Sequence, residues 1–337
     1  MYTPSASRYA GTMTYRRCGL SGIQLPVLSL GFWHNFGEVT PEDQSRAIAR
    51  AAFDMGICHF DLANNYGPAP GAAEERLGKM LRDDFRGHRD ELLISTKAAY
   101  DMWEGPYGTW ASRKHLVASL NQSLRRMGLD YVDIFYCHRY DPATPLEETL
   151  QALTDIVRAG KALYVGLSRW PREAAAVGYD YLRSHDVPCL IYQGRLNLFD
   201  RGVTDGGDSS VLALCRHEGV GFIGFSPLAQ GLLTDRYLDG IPADSRMAHD
   251  PRYLQASALT PARLESIRRL NAIARQRGET LATMALTWAL QQDGVTSLIV
   301  GASSPQQLVR NAAVVNSAPL TPEELQAIEA ALQAAHT

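Results

Sequence analysis

Four side chains of this 337-residue sequence could together deliver a proton to a carbonyl oxygen: Asp61, Tyr66, Lys97 and His138. A tyrosine, whose ordinary pKa is about 10, is a weak proton donor at neutral pH. An adjacent ammonium such as that of Lys97 stabilises the phenolate and would lower the tyrosine pKa. Asp61 could hold the lysine charged and in place, and the His138 imidazole could orient the substrate oxygen by a hydrogen bond. None of the four can transfer a hydride, so this chemistry requires a cofactor.

The elements that would position these residues are short apolar runs that alternate with helical patterns. The eight runs cover residues 27–32, 56–62, 91–96, 131–137, 162–168, 189–193, 220–226 and 297–303. Strands that alternate with helices predict parallel βαβ units, and eight such units are what a closed barrel requires. We therefore predict an α/β fold, a single-domain (β/α)₈ TIM barrel over residues 15–337 that follows a flexible N-terminal tail of residues 1–14. Its active site would lie at the carboxyl ends of the strands.

An open doubly wound sheet is the alternative fold, and one segment matches its dinucleotide-binding pattern. The pattern G-x-G-x-x-G occurs from Gly219 to Gly224. It needs a strand before it and a helix opening on it. Here a helical segment precedes the match, and the match itself has the composition of a strand. We therefore expect these glycines not to bind a dinucleotide.

Composition and charge exclude several classes of protein. The chain has 33 Lys and Arg against 36 Asp and Glu, a formal net charge of −3, whereas nucleic-acid-binding proteins usually carry a strongly basic face. The five scattered cysteines include no CxxC pair, which favours a reducing cytoplasm over a disulfide-bonded secreted framework. We find no signal peptide and no apolar run long enough to span a membrane. The histidines lack metal-ligand spacing, so we predict no metal site. From the charge and the apolar runs we predict no nucleic-acid partner and no membrane partner.

The polar motifs at the predicted strand ends resemble those of the aldo-keto reductase superfamily. The resemblance is carried by residues 61–67, 95–97, 131–139, 166–168, 225–231 and 301–303, together with Gln193, Gln307 and Asn311. It extends from about Tyr15 to the last predicted helix, with the motifs in order. Within the superfamily, residues 31–37, 62–68 and 100–108 are similar to the bacterial L-glyceraldehyde 3-phosphate reductases, which are relatives of the β-subunits of voltage-gated potassium channels.

The resemblance implies an NADP(H) cofactor and a role for each candidate residue. Asp61, Tyr66, Lys97 and His138 fall on the catalytic tetrad, with Tyr66 as the general acid. The positions implied for cofactor binding are Trp33, Asp61, Ser168, Arg169, Gln193, Phe225, Ser226, Leu228, Gln230, Arg236, Arg246, Gly301, Ser303, Gln307 and Asn311. The residues that we expect to contact substrate are Trp33, Asn65, Trp103 and Arg139. Ser304 replaces an arginine that close relatives often carry beside the 2′-phosphate, so we expect NADH to be accepted as well.

Two functions remain open at this point. The first is NADPH-dependent reduction of a small aldehyde, with L-glyceraldehyde 3-phosphate or a short carbonyl such as methylglyoxal as substrate. The second is an NADP(H)-binding regulatory subunit with vestigial catalysis, which the run Ser168-Arg169-Trp170 favours because it is more similar to the channel subunits. His138 favours the enzyme, since the channel subunits have asparagine there. The family resemblance also implies a homo-oligomer, a tetramer, and the loop of residues 98–112 could either cover the substrate or only anchor itself.

Overall fold

The computed structural model describes residues 2–11, 13–242, 246–249 and 254–333, without the side chains of Arg246 and His249. Residues 1 and 12 of the expected tail, and residues 243–245, 250–253 and 334–337 of the expected barrel domain, lie outside this set. The strands are β1 (Tyr15–Arg17), β2 (Gln24–Pro26), β3 (Leu28–Gly31), β4 (His59–Asp61), β5 (Leu93–Ala98), β6 (Val132–Cys137), β7 (Ala162–Ser168), β8 (Ile191–Arg195), β9 (Gly221–Phe225) and β10 (Val295–Val300).

Eight parallel strands of the described residues, β3 to β10, close into a barrel in chain order, and β10 pairs with β3. Every residue of β4 and of β10 is buried, as expected for a parallel sheet covered on both faces. The predicted (β/α)₈ barrel is therefore confirmed. All eight carboxyl ends meet at one mouth because the strands are parallel.

Helices cover the outside of the barrel. They are α1 (Glu42–Asp54), α2 (Ala72–Asp83), α3 (Arg113–Met127), α4 (Leu146–Arg158), α5 (Arg172–Ser184), α6 (Val211–Glu218), α7 (Arg246–His249), α8 (Pro261–Gln276), α9 (Leu281–Gln291), α10 (Pro305–Ala312) and α11 (Pro322–Gln333). In α4 the buried residues Leu150, Leu153 and Ile156 recur every three residues and form one apolar face against the strands. Gly128, with φ +68°, ends α3 in the left-handed conformation that a side chain disfavours.

The amino end of the barrel is covered by the antiparallel hairpin of β1 and β2. Cys18 and Leu25 of this hairpin are fully buried, and the Cys18 thiol points to the Leu190 carbonyl at the start of β8. The backbone N–H of Leu20 donates to the carbonyl of Gly219, just before β9. The hairpin therefore closes the end of the barrel that is opposite to the mouth.

The described part of the N-terminal tail lies against α1 and the turn before β5. The Tyr2 hydroxyl donates to Asp54 Oδ1 at 2.8 Å, and Arg8 forms an ion pair with Glu91 at 2.6 Å. The ring of Tyr2 also packs edge-on against Phe85. These contacts connect the tail to the barrel. The flexibility predicted for residues 1–14 stays a prediction.

The glycine pattern between Gly219 and Gly224 lies in a strand that follows a helix, as expected from the sequence. Gly219 ends α6, and Gly221 begins β9, so a helix precedes the pattern and a strand occupies it. Phosphate binding by such a pattern requires the reverse order. Among the helices of the described residues, none has both the length and the apolar character needed to cross a membrane.

Candidate active site

The four candidate catalytic residues come together at the mouth of the barrel. Asp61 is the last residue of β4, Lys97 is the fifth of the six residues of β5, and His138 follows β6 directly. Tyr66 lies in the turn between β4 and α2. Because β4, β5 and β6 are neighbours in the barrel, their carboxyl ends present these side chains to one another.

A buried ion pair between Asp61 and Lys97 forms the base of the site. Lys97 Nζ lies 2.6 Å from Asp61 Oδ2, and the two side chains are 0% and 3% exposed. The ammonium also donates to the Leu62 carbonyl. Asp61 Oδ1 accepts from Ser95 Oγ at 2.7 Å and from Gln193 Nε2 at 3.1 Å, so both carboxylate oxygens are occupied. Burial lowers the pKa of Lys97, and the Asp61 charge opposes that effect.

Tyr66 places its ring over this ion pair. Lys97 Nζ lies 4.8 Å from the centre of the Tyr66 ring, and the His138 ring lies edge-on at 5.8 Å. The pKa of Tyr66 is raised well above 10, mainly because the phenol is removed from water and also because Asp61 and Tyr100 disfavour a second negative charge. The sequence predicted the opposite direction, because it considered the ammonium but not burial. A phenol with a raised pKa is protonated at neutral pH but is a weaker acid, so its proton can move only as negative charge develops on the acceptor oxygen.

The surroundings of the His138 side chain favour its neutral form. Burial lowers its pKa well below 6.5, and the positive charges of Lys97, Arg169 and Arg139 lower it further. Its Nδ1 is buried and has no hydrogen-bond partner among the described residues. The ring of Tyr100 packs edge-on against it, with the ring centres 4.7 Å apart.

The pH dependence of the reaction follows from these directions. A histidine with an ordinary pKa would give kcat/KM a limb near pH 6.5, but the lowered pKa of His138 moves that limb toward acid. We therefore expect kcat/KM for aldehyde reduction to be constant between about pH 6 and 8. The measurement is a pH profile of the wild type beside His138→Gln. A limb centred near pH 6.5 in the wild type that the variant lacks would contradict the neutral assignment.

The predicted substrate residue Arg139 is bound to the loop of residues 98–112. Its Nε donates to the Ala99 carbonyl at 3.1 Å, and its Nη2 donates to Thr109 Oγ1 at 3.1 Å. The guanidinium also lies 4.3 Å from the centre of the Tyr100 ring and 3.7 Å from that of Trp110. Arg139 therefore braces this loop against the end of β6.

The other three predicted substrate residues lie in three different loops, and each has its own surroundings. Trp33 follows the end of β3, and its ring is 4.0 Å from that of His34. Asn65 immediately precedes Tyr66, and its Oδ1 is buried without a partner among the described residues. Trp103 packs on the ring of His115 in α3, which anchors the loop to the barrel. Their contacts with substrate stay predictions.

Most of the residues implied for cofactor binding lie on or after β7 to β10, on the other side of the mouth, whereas Asp61 ends β4 and Trp33 follows β3. Ser168 ends β7, Gln193 lies within β8, and Phe225 ends β9. Arg169 follows β7 directly. Further members follow β9 and β10 or lie on α10; these are Ser226, Leu228, Gln230, Arg236, Gly301, Ser303, Gln307 and Asn311. The side chain of Arg246, at the start of α7, lies outside the described residues.

Four of the seven non-glycine residues with a positive φ in the described part of the chain lie on this side of the mouth. Arg169, Ser226 and Gln230 have φ of +58°, +53° and +59°, a left-handed conformation that costs energy for any residue with a side chain. Such conformations cluster at ligand-binding sites, where the surrounding structure maintains them. All three residues belong to the implied cofactor set.

Unpartnered polar groups along this side fit a nicotinamide dinucleotide. Ser168 Oγ and Asn311 Nδ2 are both buried, and neither has a hydrogen-bond partner within the described part of the chain. A hydroxyl and an amide donor are the groups that would bind a carboxamide at one end of such a cofactor and a polar base or ribose at the other. Around the position that a Cβ of residue 301 would take, no described atom lies within 4 Å, so a ligand could approach the backbone of Gly301 closely.

Ser304, at the position where the family resemblance suggests an arginine, has a structural role. Its side chain accepts from the backbone N–H of Gln307 at 3.2 Å and caps α10. Gln307 Oε1 in turn accepts from the N–H and the hydroxyl of Ser303. The turn before α10 is therefore ordered by neutral hydrogen bonds.

Two residues of the site were missed in the sequence. Ser95 donates to Asp61, and it lies two residues before Lys97 on the same strand, so the period of two places both side chains on one face. Tyr100 contacts His138 and accepts a hydrogen bond from Arg169 Nη1 at 2.8 Å. No periodic signal marks Tyr100, because its position depends on the path of the loop.

No group of three or more His, Cys, Asp or Glu side chains that could hold a metal ion occurs among the described residues. The buried histidine His59 is hydrogen-bonded on both nitrogens, to Ser29 at 2.8 Å and to Ser95 at 3.0 Å. This confirms the expected interior, hydrogen-bonded histidine.

Almost the whole chain is similar to known proteins of one family. The sequence model of the aldo/keto reductase family matches residues 27–333. The chain is 53% identical over 332 residues to L-glyceraldehyde 3-phosphate reductase of Escherichia coli (strain K12), covering 98% of this chain and 95% of that protein. It is 37% identical over 325 residues to a probable voltage-gated potassium channel subunit beta of Oryza sativa subsp. japonica, covering 95% and 97%. The corresponding protein of Arabidopsis thaliana is 35% identical over 325 residues.

Proposed function

The chain belongs to the aldo/keto reductase family of oxidoreductases, and we propose that it reduces a small aldehyde to an alcohol with NADPH. The substrate that we propose is L-glyceraldehyde 3-phosphate or a similar short carbonyl, such as methylglyoxal. The 53% identity to L-glyceraldehyde 3-phosphate reductase supports this choice of substrate. A cytoplasmic location and a homo-tetrameric state stay predictions.

The observation that carries the proposal is the position of the Tyr66 phenol over a buried ion pair at the barrel mouth. Lys97 lies 2.6 Å from Asp61 and 4.8 Å from the centre of the Tyr66 ring, and the neutral His138 ring faces Tyr66. This arrangement supplies a proton donor, a positive charge that stabilises the phenolate left behind, and a hydrogen-bonding group for the substrate.

The bound cofactor would supply a hydride to the carbonyl carbon. As negative charge develops on the carbonyl oxygen, Tyr66 donates its phenolic proton to that oxygen. Lys97 stabilises the resulting phenolate, and Asp61 holds the ammonium in position. His138, neutral and with a buried Nδ1, orients the carbonyl oxygen toward Tyr66.

The cofactor-binding side supports a nicotinamide dinucleotide, and we propose NADP(H) with NADH also accepted. Ser304 is a neutral helix cap here, and a neutral hydroxyl binds a 2′-phosphate less strongly than a guanidinium does. Preference for NADPH over NADH should therefore stay below about 100-fold in kcat/KM.

The experiment that tests the proposed function follows the loss of reduced-nicotinamide absorbance with NADPH and then NADH. The panel is L-glyceraldehyde 3-phosphate, its D enantiomer, methylglyoxal and 4-nitrobenzaldehyde. Turnover with the L enantiomer preferred supports the proposal. Tight NADPH binding with no turnover on any aldehyde would instead favour a regulatory subunit, the alternative suggested by the similarity to channel β-subunits.

Arg139 is our candidate for contact with a substrate phosphate. Replacing Arg139 with alanine should raise KM about tenfold for L-glyceraldehyde 3-phosphate but by less than about threefold for methylglyoxal, because only the phosphate loses a charge-assisted hydrogen bond. Arg139→Lys is the matched control that keeps the charge. Equal increases of KM for both substrates would assign Arg139 to bracing the loop alone, through its bonds to Ala99 and Thr109.

A further inference from the structure

A continuous chain of hydrogen bonds runs through the barrel interior and ends on the carboxylate of the ion pair. Ser297 Oγ and Ser29 Oγ lie 2.8 Å apart, and Ser29 Oγ lies 2.8 Å from His59 Nδ1. His59 Nε2 lies 3.0 Å from Ser95 Oγ, and Ser95 Oγ donates to Asp61 Oδ1 at 2.7 Å. All five side chains are buried, with at most 2% of any residue exposed.

The direction of every bond in this chain follows from its last acceptor. The Asp61 carboxylate, paired with Lys97, can only accept, so Ser95 must use its single hydroxyl proton there. His59 therefore donates from Nε2 to the Ser95 oxygen. A neutral imidazole carries one N–H, so its Nδ1 accepts from Ser29, which in turn accepts from Ser297. Each donor thus points toward Asp61.

The neutral state of His59 that this assignment needs agrees with its surroundings. The pKa of His59 is lowered to about 4, mainly by burial; the Asp61 charge opposes this effect, and the Lys97 charge adds to it. The two serine contacts hold the ring in place at both nitrogens. A ring held at both nitrogens keeps its Nε2–H directed at Ser95 Oγ.

We propose that His59 is a positioning residue of the reduction, acting through Ser95 to hold the Asp61 carboxylate against Lys97. The His59 N–H occupies a lone pair of Ser95 Oγ and so restricts the hydroxyl to the orientation that points at Asp61. Hydrogen bonds in such a chain polarise one another and strengthen the last bond. This inference rests on the proposed function, because it concerns how the ion pair supports Tyr66.

Two amide variants of His59 separate this role from mere filling of the interior. A glutamine side chain places its amide near the position of Nε2, so His59→Gln keeps a donor toward Ser95. An asparagine side chain reaches only the position of Nδ1, so His59→Asn keeps the Ser29 contact and loses that donor. Both variants are neutral and polar, so a difference between them reports on the bond to Ser95.

We expect kcat to stay within about threefold of wild type in His59→Gln. In His59→Asn and in Ser95→Ala, kcat should fall by at least about tenfold. KM for the aldehyde and the Kd for NADPH, measured by tryptophan fluorescence, should not change. Ser297→Ala, the same substitution at the far end of the chain, is the matched control and should keep kcat. In the double variant His59→Asn with Ser95→Ala, kcat should equal that of Ser95→Ala, because both changes break one path.

Several outcomes would overturn the inference. A wild-type kcat in Ser95→Ala would do so, as would equal losses in the glutamine and asparagine variants, or losses that add in the double variant. If His59→Asn shows no cooperative thermal unfolding transition and is therefore not folded, the inference is tested by comparing Ser95→Ala with Ser297→Ala. Equal kcat values for these two variants would overturn the inference. Failure of the proposed function is distinguishable, because the wild type itself would then reduce no aldehyde.

Discussion

Replacing Tyr66 with phenylalanine should lower kcat for aldehyde reduction by about 10³-fold while leaving KM within about threefold of the wild-type value. The change removes one hydroxyl and keeps the ring, which lies 4.8 Å from Lys97 Nζ and beside His138. The proton for the substrate oxygen comes from that hydroxyl, and its raised pKa keeps it protonated at neutral pH. Oxidation of the product alcohol should fall by the same factor, since the reverse reaction passes through the same transition state.

Steady-state kinetics in both directions measures the effect of Tyr66→Phe, and Tyr100→Phe is the matched control. Tyr100 also presents a hydroxyl at the mouth, 2.8 Å from Arg169 Nη1, and packs against His138. We assign it no proton transfer, so kcat should fall less than about tenfold in the control. A Tyr66→Phe variant that keeps more than a tenth of wild-type kcat would exclude Tyr66 as the general acid.

The barrel could be predicted from the sequence because its signals are local and repeated. Each strand is a short apolar run between helical patterns, and a glycine such as Gly128 marks the end of a helix. The strand boundaries were less accurate. The run 56–62 contains only the three strand residues of β4, because Gly56, with φ +80°, and Ile57 belong to the turn after α1. Such turns are set by packing between elements, which a local pattern does not record.

The meeting of the candidate catalytic residues at one site could be predicted from the sequence, but their electrostatics could not. Residue types at the ends of neighbouring parallel strands are sufficient to bring Asp61, Lys97 and His138 together. The direction of the Tyr66 pKa shift depends on how much water its surroundings exclude, and this is a property of the packed site. The bonds of Arg139 to Ala99 and Thr109 likewise depend on the conformation of a long loop.

Replacing Lys97 with methionine should destabilise the protein by about 3–5 kcal/mol, because it leaves the Asp61 carboxylate buried without a counter-ion. The two side chains are 0% and 3% exposed, so water cannot replace the lost ammonium. The same change should lower kcat by at least about 10²-fold, since no positive charge remains to stabilise the Tyr66 phenolate. Chemical denaturation measures the first effect, and steady-state kinetics measures the second.

A second substitution separates the two consequences of losing Lys97. Asp61→Asn in the Lys97→Met background removes the unpaired charge, and the new amide oxygen can still accept from Ser95. The double variant should therefore regain at least about 2 kcal/mol of stability and remain inactive. Lys79→Met is the matched control, because Lys79 pairs with Glu42 at 3.2 Å with both side chains well exposed, and it should change stability by less than about 1 kcal/mol. A double variant no more stable than Lys97→Met would mean that packing of the lysine stem, and not the buried charge, sets the loss. Recovered activity in the double variant would show that catalysis does not need the ammonium.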